Sequence, residues 1–181
     1  MRTLRDAIRR RGLYRRVRHL AGRLSAPLRI ARLYVMYRKD LTRRPEPFRA
    51  RVPIEVTIAR PREIDAVAEV NRGATEDLVT IYRGRLEMGG VCFVARLDGR
   101  IVGYNWIFTR SLVDFDGERI DLGDGEIFCL DAYTAEEWRG HAIHTELLAH
   151  MLRWGHDEGY RTAYTEVSAL LRRSWKTHRR L

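Results

Sequence analysis

The chain has 181 residues, 45% of them apolar and 32% charged, with a formal net charge of +10. That composition suits one globular domain with an appendage and excludes a mostly disordered chain. No run approaches the roughly 18 consecutive apolar residues of a membrane span. Two cysteines, Cys92 and Cys129, without ligand-spaced partners exclude a disulfide scaffold and argue against a structural zinc site. As lone thiols in apolar strands they fit a reducing, cytoplasmic setting.

The charge is unevenly distributed. Residues 1–52 hold 17 basic residues, 16 of them arginine, against 3 acids; residues 53–171 hold 12 bases against 21 acids; the last ten residues carry five bases and no acid. An acidic body thus carries a basic arm at one end and a basic segment at the other. Such asymmetry attracts polyanions, whether nucleic acid or an anionic lipid surface.

Residues 3–25 have a helical pattern, with Leu4, Ile8, Val17, Leu20 and Leu24 near one face and arginines between. Gly12, Gly22 and Pro27 weaken or end it. A short apolar piece spans 28–37, and 42–53, with Pro45, Pro47 and Pro53, reads as a linker. The domain boundary is expected there: a basic amphipathic extension over 1–52, then a domain over 53–181. The domain begins with a strand at 54–59 and helices at 62–71 and 75–88. Strands at 91–97 and 101–109 flank an Asp98-Gly99 turn. Residues 110–125 read as a loop or weak hairpin, and 126–133 as a strand. A long amphipathic helix over 139–158 closes on Gly159. A strand at 162–167 and a helix at 170–181 follow. This order predicts an α/β or α+β sheet with helices packed on it.

The informative stretch runs from Glu126 to Gly159. A strand ends near Thr134, and Arg139-Gly140-His141-Ala142-Ile143-His144 opens a helix. Unpaired first-turn amides and the helix dipole favour an anion there. Gly140 and Ala142 let a ligand approach the backbone, and Arg139 brings a guanidinium fork. A pyrophosphate fits that description.

With Arg139 at the head of this loop, the Asp98–Gly103 hairpin turn before it, the helix ending in Gly159, the strand 162–167 and Ser174 in the last helix, residues 54–181 resemble the GNAT N-acetyltransferase superfamily. Ala142 and His144 stand where that family's loop usually has Gly and Gly or Ala, and Leu171 replaces an Asn often found three residues before the Ser. The resemblance implies a mixed, mostly antiparallel central sheet flanked by helices. It implies direct transfer of acetyl from acetyl-CoA, as co-substrate and without a metal, to a primary amine. Tyr133 and Thr134 would hold the pantetheine and thioester, residues 139–144 the pyrophosphate, and Ser174 would lie nearby.

An amine with a pKa near ~10 must lose a proton before it attacks. Glu126 is the first candidate base, at the position matching the catalytic glutamate of the histone-acetyltransferase branch; a solvated strand-end acid is its plain alternative. Asp131 is the second, a carboxylate interrupting an apolar run that could equally be a hydrogen-bonded structural acid. In a regular strand the two face opposite sides, which a bulge would change. His178, four residues after Ser174, is the candidate acid for the leaving thiolate; an exposed residue of a basic helix is its plain reading. Tyr104, Asn105 and Trp106 are candidates for the acceptor pocket, Trp106 also for the core.

The family continues past the point matching Leu181 with further strands, so the strand 162–167 is expected as an exposed edge: either a partner chain covers it, or the protein is truncated and weak or inactive. Alternatives to the enzyme therefore stay open: a non-catalytic CoA-binding relative, or a module whose residues 1–40 bind membrane or nucleic acid. A homodimer and a peripheral membrane location belong to the same open set.

Overall fold

The computed structural model describes residues 34–72, 77–113, 119–168 and Thr177, without the side chains of Tyr34, Val35 and Ser168. Eight strands and three helices follow in chain order: β1 (Tyr34–Asp40), β2 (Glu55–Ile58), α1 (Ile64–Val70), α2 (Leu78–Glu87), β3 (Val91–Leu97), β4 (Arg100–Phe108), β5 (Ser111–Val113), β6 (Arg119–Asp121), β7 (Glu126–Thr134), α3 (Ile143–Asp157) and β8 (Thr162–Ser168). Six strands form one sheet in the order β1-β8-β7-β4-β3-β2; β5 and β6 pair separately, the weak hairpin expected in 110–125. All neighbours in the large sheet are antiparallel except β7 and β8.

Local chemistry explains most elements. Asp98 and Gly99 both take positive φ, +49° and +78°, as a two-residue hairpin turn with right-handed strand twist requires. Asp77 caps α2 by accepting from Thr80 N. Strand alternation then sorts the core into two layers. On one face, Ile64 and Val67 of α1 and Tyr82 of α2 pack on Val94, Trp106, Phe128 and Tyr164. On the other, Ile143, Leu147, Leu148, Met151 and Leu152 of α3 pack on Phe93, Ile107, Ile127 and Ala163. The predicted stripe of α3 is its buried face. Gly155 lets that helix lie close: a Cβ there would stand 2.6 Å from Ile127 Cδ1 and 3.2 Å from Leu41 Cδ1.

Three expectations change. Helix α3 starts at Ile143, not Arg139, because Gly140 (φ +90°) and Ala142 (φ +63°) are left-handed and break the helical path. The largest change is at the sheet edge. Every residue of β8 from Thr162 to Ser168 pairs antiparallel with β1, in the register Asp40↔Thr162 to Tyr34↔Ser168. The strand expected as an exposed edge is covered by the chain's own residues 34–40. The expected boundary at 52/53 thus has a sheet strand on its N-terminal side.

The segment between β1 and β2 is also pinned, although three prolines made it read as a linker. Leu41 is buried, and its N–H donates to Arg161 O. Arg44 makes a two-bond ion pair with Asp157, and Arg153 donates to Pro45 O. The helices expected over 3–25 and 170–181 lie outside the described residues, apart from Thr177.

Candidate functional site

The parallel pairing of β7 and β8 covers only Glu126↔Thr162 to Cys129↔Thr165. Beyond it β7 stays with β4 to Thr134, and β8 stays with β1 to Ser168. The strands part at the sheet centre. Leu130 to Thr134 therefore present backbone donors and acceptors on an edge without a ladder partner among the described residues, and such groups favour an extended polar ligand.

The parting coincides with a bulge. Trp106 pairs with Leu130 and Tyr104 with Tyr133, so two steps along β4 span three along β7. Asp131 takes the extra position with φ +60°. The added residue reverses the alternation, and Glu126 and Asp131 both meet the face covered by α1 and α2. Glu126 accepts from Tyr164 Oη at 3.1 Å and from Gly123 N at 2.9 Å. Asp131 Oδ2 accepts from Arg85 Nη1 at 2.5 Å and from Tyr82 Oη at 3.1 Å. The Tyr82 and Tyr104 hydroxyls lie 2.6 Å apart. Arg85 stacks over the rings of Tyr82 and Trp106, 5.0 and 5.5 Å from their centroids.

Burial, and then the charge of Asp131, push both tyrosine hydroxyls well above their ordinary pKa, so they remain proton donors at neutral pH. Burial raises the Cys92 thiol and takes Cys129 to about 12, so neither is a nucleophile at neutral pH. Tyr82 and Arg85 escaped the sequence reading. Their i, i+3 spacing on α2 was the available signal, since it places both on one helix face.

The anion loop follows β7 directly. A single 3-10 turn (Glu136–Trp138) leads into Arg139-Gly140-His141-Ala142, and α3 begins without a side-chain cap. A Cβ at Gly140 would meet nothing within 4 Å, so space is open above the loop. Uncapped first-turn amides beside open space suit an anion. Arg139 is otherwise engaged: Nε donates to Thr134 O at 3.1 Å, Nη1 to Glu136 Oε1 at 2.9 Å, and the guanidinium lies over the Tyr133 ring. Ile143, the first residue of α3, is buried in the core beneath the helix. Desolvation takes His144 to about 4, so it is neutral at neutral pH. The His141 ring sits beside Trp138.

The structure thus brings Tyr133, Thr134 and residues 139–144 to one end of the parting, and Asp131 to the bulge. Glu126 stands at the opposite end of the paired half of β7. Asn105 and Trp106, on successive positions of β4, point to opposite faces. Both are buried, and Asn105 Oδ1 and Trp106 Nε1 have no hydrogen-bond partner among the described residues. Ser174 and His178 lie outside the described residues. Among the described residues no group of His, Cys, Asp and Glu could hold a metal ion, and no helix is long and apolar enough to cross a membrane.

Residues 59–181 match the model of the acetyltransferase (GNAT) family. Solved structures share the fold at low identity. An N-acetyltransferase from Staphylococcus aureus Mu50 superposes with a TM-score of 0.54 at 16% identity, over 71% of this chain and 81% of that one. A ribosomal-protein-alanine N-acetyltransferase from Brucella melitensis biovar Abortus 2308 gives 0.56 at 13%, over 71% and 90%. The yncA protein of Salmonella typhimurium, solved with its cofactor acetyl-CoA, gives 0.54 at 16%, over 70% and 77%. No curated protein sequence matches the chain.

Proposed function

The chain belongs to the GNAT acetyltransferase family, and from that premise we propose that it transfers an acetyl group from acetyl-CoA to a primary amine by direct attack. The observation that carries the reading is the parting of β7 from β8, with the uncapped start of α3 a few residues further along the chain. An extended thioester with a diphosphate at one end needs both features. The open edge of Leu130–Thr134 would bond the pantetheine amides and thioester oxygen. The backbone of residues 139–144 would hold the diphosphate; Arg139 braces Thr134 and Glu136 beneath it.

In the reaction the neutral amine nitrogen bonds to the thioester carbonyl carbon, the carbon–sulfur bond breaks, and the amine proton leaves. We assign proton removal to Glu126, directly or through water. It faces the α1/α2 side and has no ion-pair partner among the described residues, whereas Asp131 is held by Arg85. Asp131, Tyr82 and Arg85 act as positioning residues that hold the bulge. His178 remains the proposed proton donor to the leaving thiolate. The acidic body favours a cationic acceptor.

Glu126→Gln should lower kcat on an accepted amine by about 10²- to 10⁴-fold while leaving acetyl-CoA affinity, measured by calorimetry, unchanged. Unaltered turnover would remove Glu126 from the mechanism. Acetyl-CoA binding without turnover on any amine would favour a non-catalytic CoA-binding protein. The proposed setting is the cytoplasm. Residues 34–40 are committed to the sheet, so 1–33 are left as the proposed contact for an anionic membrane or nucleic acid.

A further inference from the structure

We propose that residues 49–51 form a strap belonging to the acetyl-CoA phosphate site, with Arg51 supplying its cation; this inference rests on the acetyltransferase reading above. The loop's own charges do not serve that purpose, because Arg139 is engaged by Thr134 and Glu136 and His144 is neutral. The strap approaches the loop from the N-terminal side of the chain. Arg51 N donates to His141 O at 2.8 Å, in the middle of the loop.

Glu146, in the first turn of α3 and only 2% exposed, holds the strap in place. Its Oε2 accepts from Ala50 N at 2.6 Å and its Oε1 from Arg49 Nη1 at 3.0 Å. A buried carboxylate without partners would be costly and would repel a diphosphate. Arg49 compensates that charge. Arg51 remains exposed, and among the described residues no carboxylate pairs with it. The backbone bond carries the Arg51 main chain beside the loop, and a guanidinium at that position would reach a phosphate through a two-bond contact. Ala50 and Val52 pack against the α3-side core, so the strap is anchored by apolar contact as well.

The test is calorimetric titration of the full chain with acetyl-CoA and with its 3′-dephospho form. Arg51→Ala should weaken acetyl-CoA binding about 10-fold, as expected for one charge-assisted contact. Arg51→Glu should weaken it further, and Arg51→Lys should retain part of it. KM for acetyl-CoA should rise by the same factor, with kcat at saturation and Tm unchanged. An effect that vanishes with the dephospho form places Arg51 on the 3′-phosphate; an equal effect places it on the diphosphate. Glu146→Gln should weaken binding in the native background and add nothing in the Arg51→Ala background, an asymmetry that a purely structural role would not produce. If Arg51→Ala binds as tightly as the parent chain, the strap inference fails and the acetyltransferase reading stands. If the parent chain binds no acetyl-CoA, both fail.

Discussion

Over Glu126–Cys129, β7 pairs with β8, and at Phe128 and Cys129 it has strands on both edges; over Leu130–Thr134 it keeps β4 and loses β8. The first half is buried apart from Glu126 and regular in pairing. The second carries the bulge, an aspartate at positive φ, and, opposite it on β4, two polar groups with no partner among the described residues, Asn105 Oδ1 and Trp106 Nε1. Buried unpaired groups and left-handed non-glycine residues are costly, and they persist where the surroundings over-determine them. The contrast teaches how one strand can serve as scaffold and as ligand edge. The paired half anchors the sheet, so the open half can leave its backbone unpaired. The same division separates the two carboxylates. Glu126 is held by neutral donors at the scaffold end, and Asp131 is locked into an ion pair at the open end.

The contrast depends on β1, which holds β8 where β7 abandons it. Removing residues 1–40 should therefore abolish cooperative unfolding, whereas removing 1–33 should leave it intact; thermal melts of the two truncations decide this. A gentler version is Tyr37→Pro, opposite Thr165, which deletes a donor in a paired strand and should cost on the order of 2–3 kcal/mol. The two carboxylates should also separate experimentally. Asp131→Asn weakens the attachment of Arg85 and should lower stability by roughly 1–2 kcal/mol in denaturant unfolding, while Glu126→Gln should affect mainly turnover. If both variants lose turnover with no change in stability, the division of roles along β7 is wrong.

The smallest effect concerns pH. His144 has a folded pKa of about 4 against about 6.5 unfolded. The unfolded chain binds its proton first, so stability is lost as pH falls through the window from 6.5 to 4 and is retained above it. His150 is also lowered by desolvation, against the opposing pull of Glu146, and contributes to the same slope. His144→Gln should flatten part of that slope in melts from pH 7 to 4.

Local pattern was enough for several features. The Asp98-Gly99 turn, the apolar stripe of α3 and the chain order of the described elements from β2 onward all arise from neighbouring residues, whose φ preferences and periodicity are written in the chain. Three features were decided only in the folded state. The pairing of β1 with β8 joins segments more than a hundred residues apart, and a seven-residue strand that is apolar in its first half and charged in its second does not specify its partner. The segment after β1 looked like a linker because prolines mark irregular backbone, but irregular backbone can still be bonded, as Glu146 bonds Ala50. The common face of Glu126 and Asp131 depends on one extra residue between two pairs of a ladder, which strand alternation in the sequence alone cannot locate. In each case the deciding interaction is a hydrogen bond or contact between residues distant in the chain, and its geometry exists only once the sheet has formed.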